Sequence, residues 1–137
     1  MFKKIAIVLL VVIALILGLA FTKPDTFAVQ RVATITAPPE KILPLISDFH
    51  NWPAWSPREK RDPAMQRTFS GAPNGKGAVY HWTGDADVGR GRMEITDYAA
   101  PASVTIKLEF IEPVAMASMT QFVLTPQGEQ TTITWNM

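Results

Sequence analysis

The sequence predicts an α+β protein, a seven-stranded antiparallel sheet interrupted once by short helices and preceded by one transmembrane helix. Three observations carry this. Ile5 to Phe21 is an unbroken apolar run. Ser103 to Ile111 alternates strictly, Val104, Ile106, Leu108 and Phe110 on one face and Thr105, Lys107 and Glu109 on the other, the pattern of a strand with one buried and one wet face. Between Ile35 and Pro57 apolar residues instead recur at helical spacing, then give way to a proline-broken segment holding two tryptophans.

The apolar run comes first. Its 17 residues reach the lower limit for a helix that spans a bilayer. Lys3 and Lys4 precede it, and Lys23-Pro24-Asp25 ends it. A removable secretory signal has a shorter apolar region, about 7 to 15 residues. The length therefore favours an uncleaved signal anchor, although Gly18-Leu19-Ala20 offers a small-x-small cleavage site. The run has no polar face to meet water, so it does not read as a core helix. The positive-inside rule keeps the lysines cytoplasmic and places the rest in the periplasm or exterior. The expected division is an anchor over residues 1–24 and a domain over 25–137.

Phe27 to Thr36 is rich in β-branched residues and reads as the first strand. Pro38-Pro39 then starts a helix where a missing N–H costs nothing, and Glu40 sits favourably in its first turn. Ile42, Leu43, Leu45, Ile46 and Phe49 form the apolar stripe, and Asp48, His50, Asn51 and Pro53 stop the helix. Pro57 to Pro63 reads as a solvated charged loop. Further strands follow at Met65–Ser70, Ala78–Thr83, Gly89–Tyr98, Ser103–Ile111, Ala115–Thr125 and Thr131–Met137, separated by turn-rich connections. A sheet with one apolar face needs a cover. The helical stretch is too short for that, and the alternation through Ile133 and Trp135 runs on without a turn or cap, so a long C-terminal helix is the expected missing cover.

Charge and composition exclude several classes. The net charge of +1 includes Lys3, Lys4 and Lys23; from Asp25 onward ten basic residues face twelve acidic ones, a net −2. Nucleic-acid binding wants a clustered basic face, which this balance does not supply. With no cysteine, disulfides, thiolate metal sites and thiol nucleophiles are all absent.

Four spaced patterns carry a resemblance: Trp52-x-x-Trp55-Ser56-Pro57, Asp62-Pro63-x-Met65, Gly75-x-Gly77-x-x-Tyr80-x-Trp82 and Gly89-x-Gly91-x-Met93-x-Ile95. In order and spacing they resemble the START-like (SRPBCC) helix-grip superfamily, in its membrane-anchored polyketide cyclase/dehydrase-like branch. The resemblance covers Phe27 to Met137 and implies a sheet bent around a long C-terminal helix, with an elongated apolar cavity between them. The sequence departs from that pattern at its end, where the helix is missing, so the domain over 25–137 is expected to be C-terminally incomplete. One fold hosts carriers, cyclases and hydrolases, so chemistry has to come from the site.

The aromatic and methionine residues are the candidate cavity lining: Trp52, Trp55, Phe69, Tyr80, Trp82, Phe110, Met119 and Phe122, with Met116 and Trp135 beside them. His81, Glu94 and Arg92 are the weak catalytic candidates. His81 carries an imidazole, the usual general acid or base, but reads more simply as an outer-face or satisfied core group. The alternation of Arg92 and Glu94 with Met93 and Ile95 favours the convex face for the charged pair. His50 beside Asp48 reads as a cap, and Asp85 and Asp87 as turn residues without the remaining ligands of a calcium loop. No metal site and no cofactor are expected. The expected function is membrane-anchored binding of an apolar or amphipathic small molecule, lipid or polyketide-like. The alternatives are a polyketide cyclase/dehydrase-type enzyme, which the resemblance implies, and an envelope protein-interaction module.

Overall fold

Hydrophobic alternation becomes sheet register in the computed structural model, which describes residues 1–22 and 28–137. The strands are β1 (Gln30–Ile35), β2 (Gln66–Gly71), β3 (Ala78–Thr83), β4 (Arg90–Ala99), β5 (Ser103–Glu112), β6 (Met116–Gln127) and β7 (Gln130–Asn136). They form one antiparallel sheet in the order β1-β7-β6-β5-β4-β3-β2, so the six later strands are a meander and the first closes onto the last. The expected start of the first strand at Phe27, and the polar residues Lys23 to Asp25 that end the apolar run, lie outside the described residues.

Directly opposed residues of an antiparallel pair share a face. One inner row therefore runs Phe69, Tyr80, Met93, Leu108 and Ser118, and the next runs Arg67, Trp82, Gly91, Phe110 and Met116. A third row joins Val104, Phe122, Trp135 and Arg31. The core sits on this face: Tyr80, Trp82, Met93, Ile95, Val104 and Ile106 are essentially inaccessible.

Three short helical elements lie over that face. Helix α2 (Pro39–Ser47) has Pro39 at its start and Glu40 in its first turn, and buries Ile42, Leu43 and Ile46. Its carbonyl end would leave acceptors without partners. The following 3-10 segment Phe49–Ala54 and the residue after it supply them. Asn51 Nδ2 donates to the Pro44 carbonyl at 3.0 Å, the Trp52 indole to that of Ile46 at 3.0 Å, and the Trp55 indole to that of Leu45 at 2.8 Å. The paired tryptophans thus end the helix and pack their rings toward Phe122 at the same time.

The stretch expected as a charged loop is instead helix α3 (Pro57–Arg61). Pro57 stands in its first turn with Glu59, while Lys60 and Arg61 lie at its negative end, an arrangement that suits the helix dipole. The first helix, α1 (Phe2–Phe21), is 20 residues long and buries none of them. By length and composition it is able to cross a membrane.

Glycine at position 91 is a packing requirement. A Cβ there would stand 2.4 Å from the Trp82 ring and 2.5 Å from the Glu109 carbonyl oxygen. Trp82 lies across the bare backbone and donates its indole N–H to the Val88 carbonyl at 2.9 Å. Gly91→Ala is expected to destabilise the fold by about 1 to 3 kcal/mol through overpacking. Urea unfolding followed by tryptophan fluorescence measures this; a loss under about 0.5 kcal/mol would contradict the packing account.

Candidate functional site

An apolar groove of about 370 Å³ opens between α2 and the β1-β7-β6 side of the sheet. Ile42, Leu45 and Ile46 line it from α2, and Ile35, Phe122, Ile133 and Trp135 from the strands. Trp55 and Pro57 close one side, and Arg31 adds a charge at the rim. The groove exists because of the residues that end α2: the Trp55 indole bonded to Leu45 keeps the ring standing against Phe122 at 6.3 Å. Phe122 in turn stacks on Trp135 at 5.0 Å, and the Trp135 indole donates to Thr120 Oγ1 at 2.6 Å.

The expected lining residues divide into four sets. Trp55 and Phe122 face the groove. Trp52, Tyr80 and Trp82 are buried core beneath the helices, and Phe110 is half-buried against that core. Phe69, on edge strand β2, is partly exposed and stacks on His50 at 4.1 Å. Met119 does not line the cavity. Its register partner is Lys107, itself opposite Glu94, which puts Met119 on the outer face, where it is half exposed.

The weak catalytic candidates occupy that same outer face. His81 is opposite Arg92, and Arg92 opposite Glu109. Arg92 donates to Glu94 at 2.8 Å and to Glu109 at 3.1 Å, and Lys107 stands 2.8 Å from Glu109. Lys107 and Arg92 hold the Glu109 carboxyl below its ordinary pKa, and Glu109 raises that of Arg92. This ladder points away from the groove and faces solvent. His50 bonds Asp48 through Nδ1 at 2.7 Å, while Asp48 accepts the His50 backbone N–H at 3.0 Å as an N-cap. Asp85 accepts the N–H groups of Asp87 and Val88 within its turn.

Sequence reasoning missed the principal polar cluster. Glu59, on α3, is buried, its side chain 4% exposed. Tyr80 Oη donates to one carboxylate oxygen and Arg67 Nε to the other, and Arg67 also donates to the Met65 carbonyl at 2.9 Å. The cluster pins α3 to β2 and β3. Burial, followed by the bond to Glu59, pushes the Tyr80 hydroxyl above its ordinary pKa, and the same carboxylate raises that of Arg67. The available signal was a glutamate in a charged segment preceding an arginine and a tyrosine on adjacent strands, which spacing alone does not connect.

Arg58, the neighbour of Glu59, meets other residues of the same sheet face. Its guanidinium carbon lies 4.4 Å from the Trp82 ring centroid and 5.5 Å from that of Phe110, and Nη1 is 3.9 Å from Met93 Sδ. Burial lowers its pKa. Asp62, just past α3, ties the helices to the sheet by accepting from the backbone N–H groups of Ala64 at 3.1 Å and Asp85 at 2.9 Å.

An open seven-stranded antiparallel sheet carrying short helices on its apolar face defines a START-like helix-grip protein. Within that class the chain belongs to the family described as polyketide cyclase/dehydrase and lipid transport, whose model matches residues 26–137. No curated protein matches the sequence. Solved structures of similar fold include MLL2253 from Mesorhizobium loti, with a TM-score of 0.61 and 18% identity over 80% of this chain and 74% of that one. The Aha1 dimer from Colwellia psychrerythraea gives 0.59 and 16% over 81% and 75%. DynU16 of the dynemicin biosynthetic locus gives 0.56 and 19% over 82% of this chain and 37% of its own. At these identities the likeness concerns the fold.

Two outcomes are expected for the buried cluster. Glu59→Ala strands Arg67 and Tyr80 and is expected to cost about 3 to 5 kcal/mol, measured by chemical denaturation. The pH effect has a definite sign. The folded pKa of Tyr80 lies above the ordinary value of 10.0, so its contribution is complete below pH 10 and is lost as pH rises from there toward the folded pKa. Tyr80→Phe is expected to flatten that alkaline fall; an unchanged slope would show that Tyr80 does not carry it.

Proposed function

We propose that this chain is a membrane-anchored domain that binds an apolar or amphipathic small molecule, a lipid or a polyketide-like metabolite, in the groove between α2 and the β1-β7-β6 sheet. The observation that carries the reading is the groove wall: contiguous Ile35, Leu45, Trp55, Ile133 and Trp135 side chains with charge, among the described residues, only at the Arg31 rim. Removing apolar surface from water stabilises a ligand by roughly 25 cal/mol per Å². Helix α1, acting as an uncleaved anchor with its lysines in the cytoplasm, would hold the domain beside a bilayer where such molecules concentrate. The family description supports the ligand class.

The enzyme reading draws on the same description and on DynU16, which comes from a biosynthetic locus. It requires an acid or base facing the groove. His81, Arg92 and Glu94 face outward, and Glu59 and Tyr80 are committed to each other beneath α3. The binding reading is therefore the better supported.

The test uses the full chain in phosphatidylcholine nanodiscs with a diazirine-bearing dodecanol as photoprobe. Saturable labelling at Leu45, Trp55 and Ile133, competed by unlabelled dodecanol, is expected. Leu45 is 44% exposed, so Leu45→Glu leaves the core intact while placing a charge in the groove, and it is expected to weaken labelling by on the order of tenfold. Unsaturable labelling spread over the sheet would refute the reading.

A further inference from the structure

Resting on the groove-binding reading, we propose that the ligand is an amphiphile with an anionic head group, a carboxylate or a phosphate, and that Arg58 is the residue that receives it. The argument starts from the way α3 distributes its charges. Glu59 is the carboxylate nearest to Arg58 in the chain, but its two oxygens are taken by Tyr80 and Arg67. Among the described residues Arg58 makes no ion pair, and the polar atom within its reach is a thioether sulfur, Met93 Sδ at 3.9 Å. A guanidinium carries five N–H donors in a planar fork suited to carboxylate or phosphate. Here that fork is partly withdrawn from water without a carboxylate in ion-pair contact among the described residues.

Its placement adds to this. The Trp82 and Phe110 rings hold the guanidinium on the apolar side of the sheet, and apart from the Nη1 contact with Met93 its N–H donors have no hydrogen-bond partner among the described residues. Arginine so held is pre-organised, and less side-chain entropy is lost on binding an anion. Pro57 lines the groove and Arg58 is the next residue, its Cα about 3.8 Å along the chain from that wall residue, a step much shorter than a dodecyl chain. The groove takes the apolar body and Arg58 the charged end. Arg31, the cation that lines the groove, is an exposed edge-strand residue without aromatic stacking among the described residues and serves as the comparison.

The full chain in phosphatidylcholine nanodiscs, labelled by the dodecanol photoprobe, is competed in parallel with dodecanoate, dodecyl phosphate and dodecanol. Arg58→Gln is expected to raise the half-competing concentration of an anionic amphiphile about tenfold while leaving that of dodecanol within about twofold, with Arg58→Lys intermediate. Loss confined to dodecanoate identifies a carboxylate ligand; loss confined to dodecyl phosphate identifies a phosphate. Dodecanol, measured on the same sample, reports whether each variant keeps its groove. Equal effects on all three competitors, no effect on any, or the head-group-dependent loss appearing with Arg31→Gln instead would overturn the assignment to Arg58. Absence of saturable labelling in the unmodified chain would remove the groove reading itself, a distinct result.

Discussion

A carboxylate placed under a helix has to be neutralised where it lies, and the position of Glu59 depends on that constraint. Taking an ionised group out of water costs several kcal/mol unless donors replace the lost hydration. Arg67 from β2 and Tyr80 from β3 provide them, so α3 has one docking position on the sheet. The rest of the upper layer follows from it. Pro57 and Trp55 become a wall of the groove, Asp62 reaches the backbone of the β3–β4 turn, and Arg58 is left over Trp82.

The second constraint is the open carbonyl end of α2. A nine-residue helix has few internal bonds, and Pro44 removes one donor. The Trp52 and Trp55 indoles act both as hydrogen-bond donors to that end and as apolar mass in the aromatic chain leading to Phe122 and Trp135. Local backbone satisfaction and groove construction are one event here. Replacing a tryptophan by another large apolar residue would keep the volume and lose the donor.

The two faces of the sheet divide the labour by polarity. The inner rows hold the core and the groove, while the outer rows carry Arg92, Glu94, Lys107 and Glu109 in a solvated ladder. Such partly exposed pairs contribute little each, and a ladder of alternating sign serves mainly to keep the outer face wet and unattractive to other strands. The histidine that chemistry would first suspect, His81, belongs to this outer set because its neighbours Tyr80 and Trp82 point inward.

The strands, their meander order, the helical insertion and the apolar N-terminal helix were legible in the sequence, because hydrophobic period and proline or glycine punctuation are local properties of the chain. Alternation with Met93 and Ile95 likewise revealed the outward face of Arg92 and Glu94. Met119 was misread because a methionine among aromatics carries no parity of its own; only the pairing with Lys107 assigns its face. Helix α3 was misread because five residues rich in charge look solvated, and nothing local shows that a glutamate at 59 meets an arginine at 67 and a tyrosine at 80. Residue types and periodicity determined the layers of this protein by themselves. The buried carboxylate, the groove and the stacked Arg58 were decided only when the sheet brought distant positions together, since burial and electrostatic partnership depend on contacts that a one-dimensional pattern does not contain.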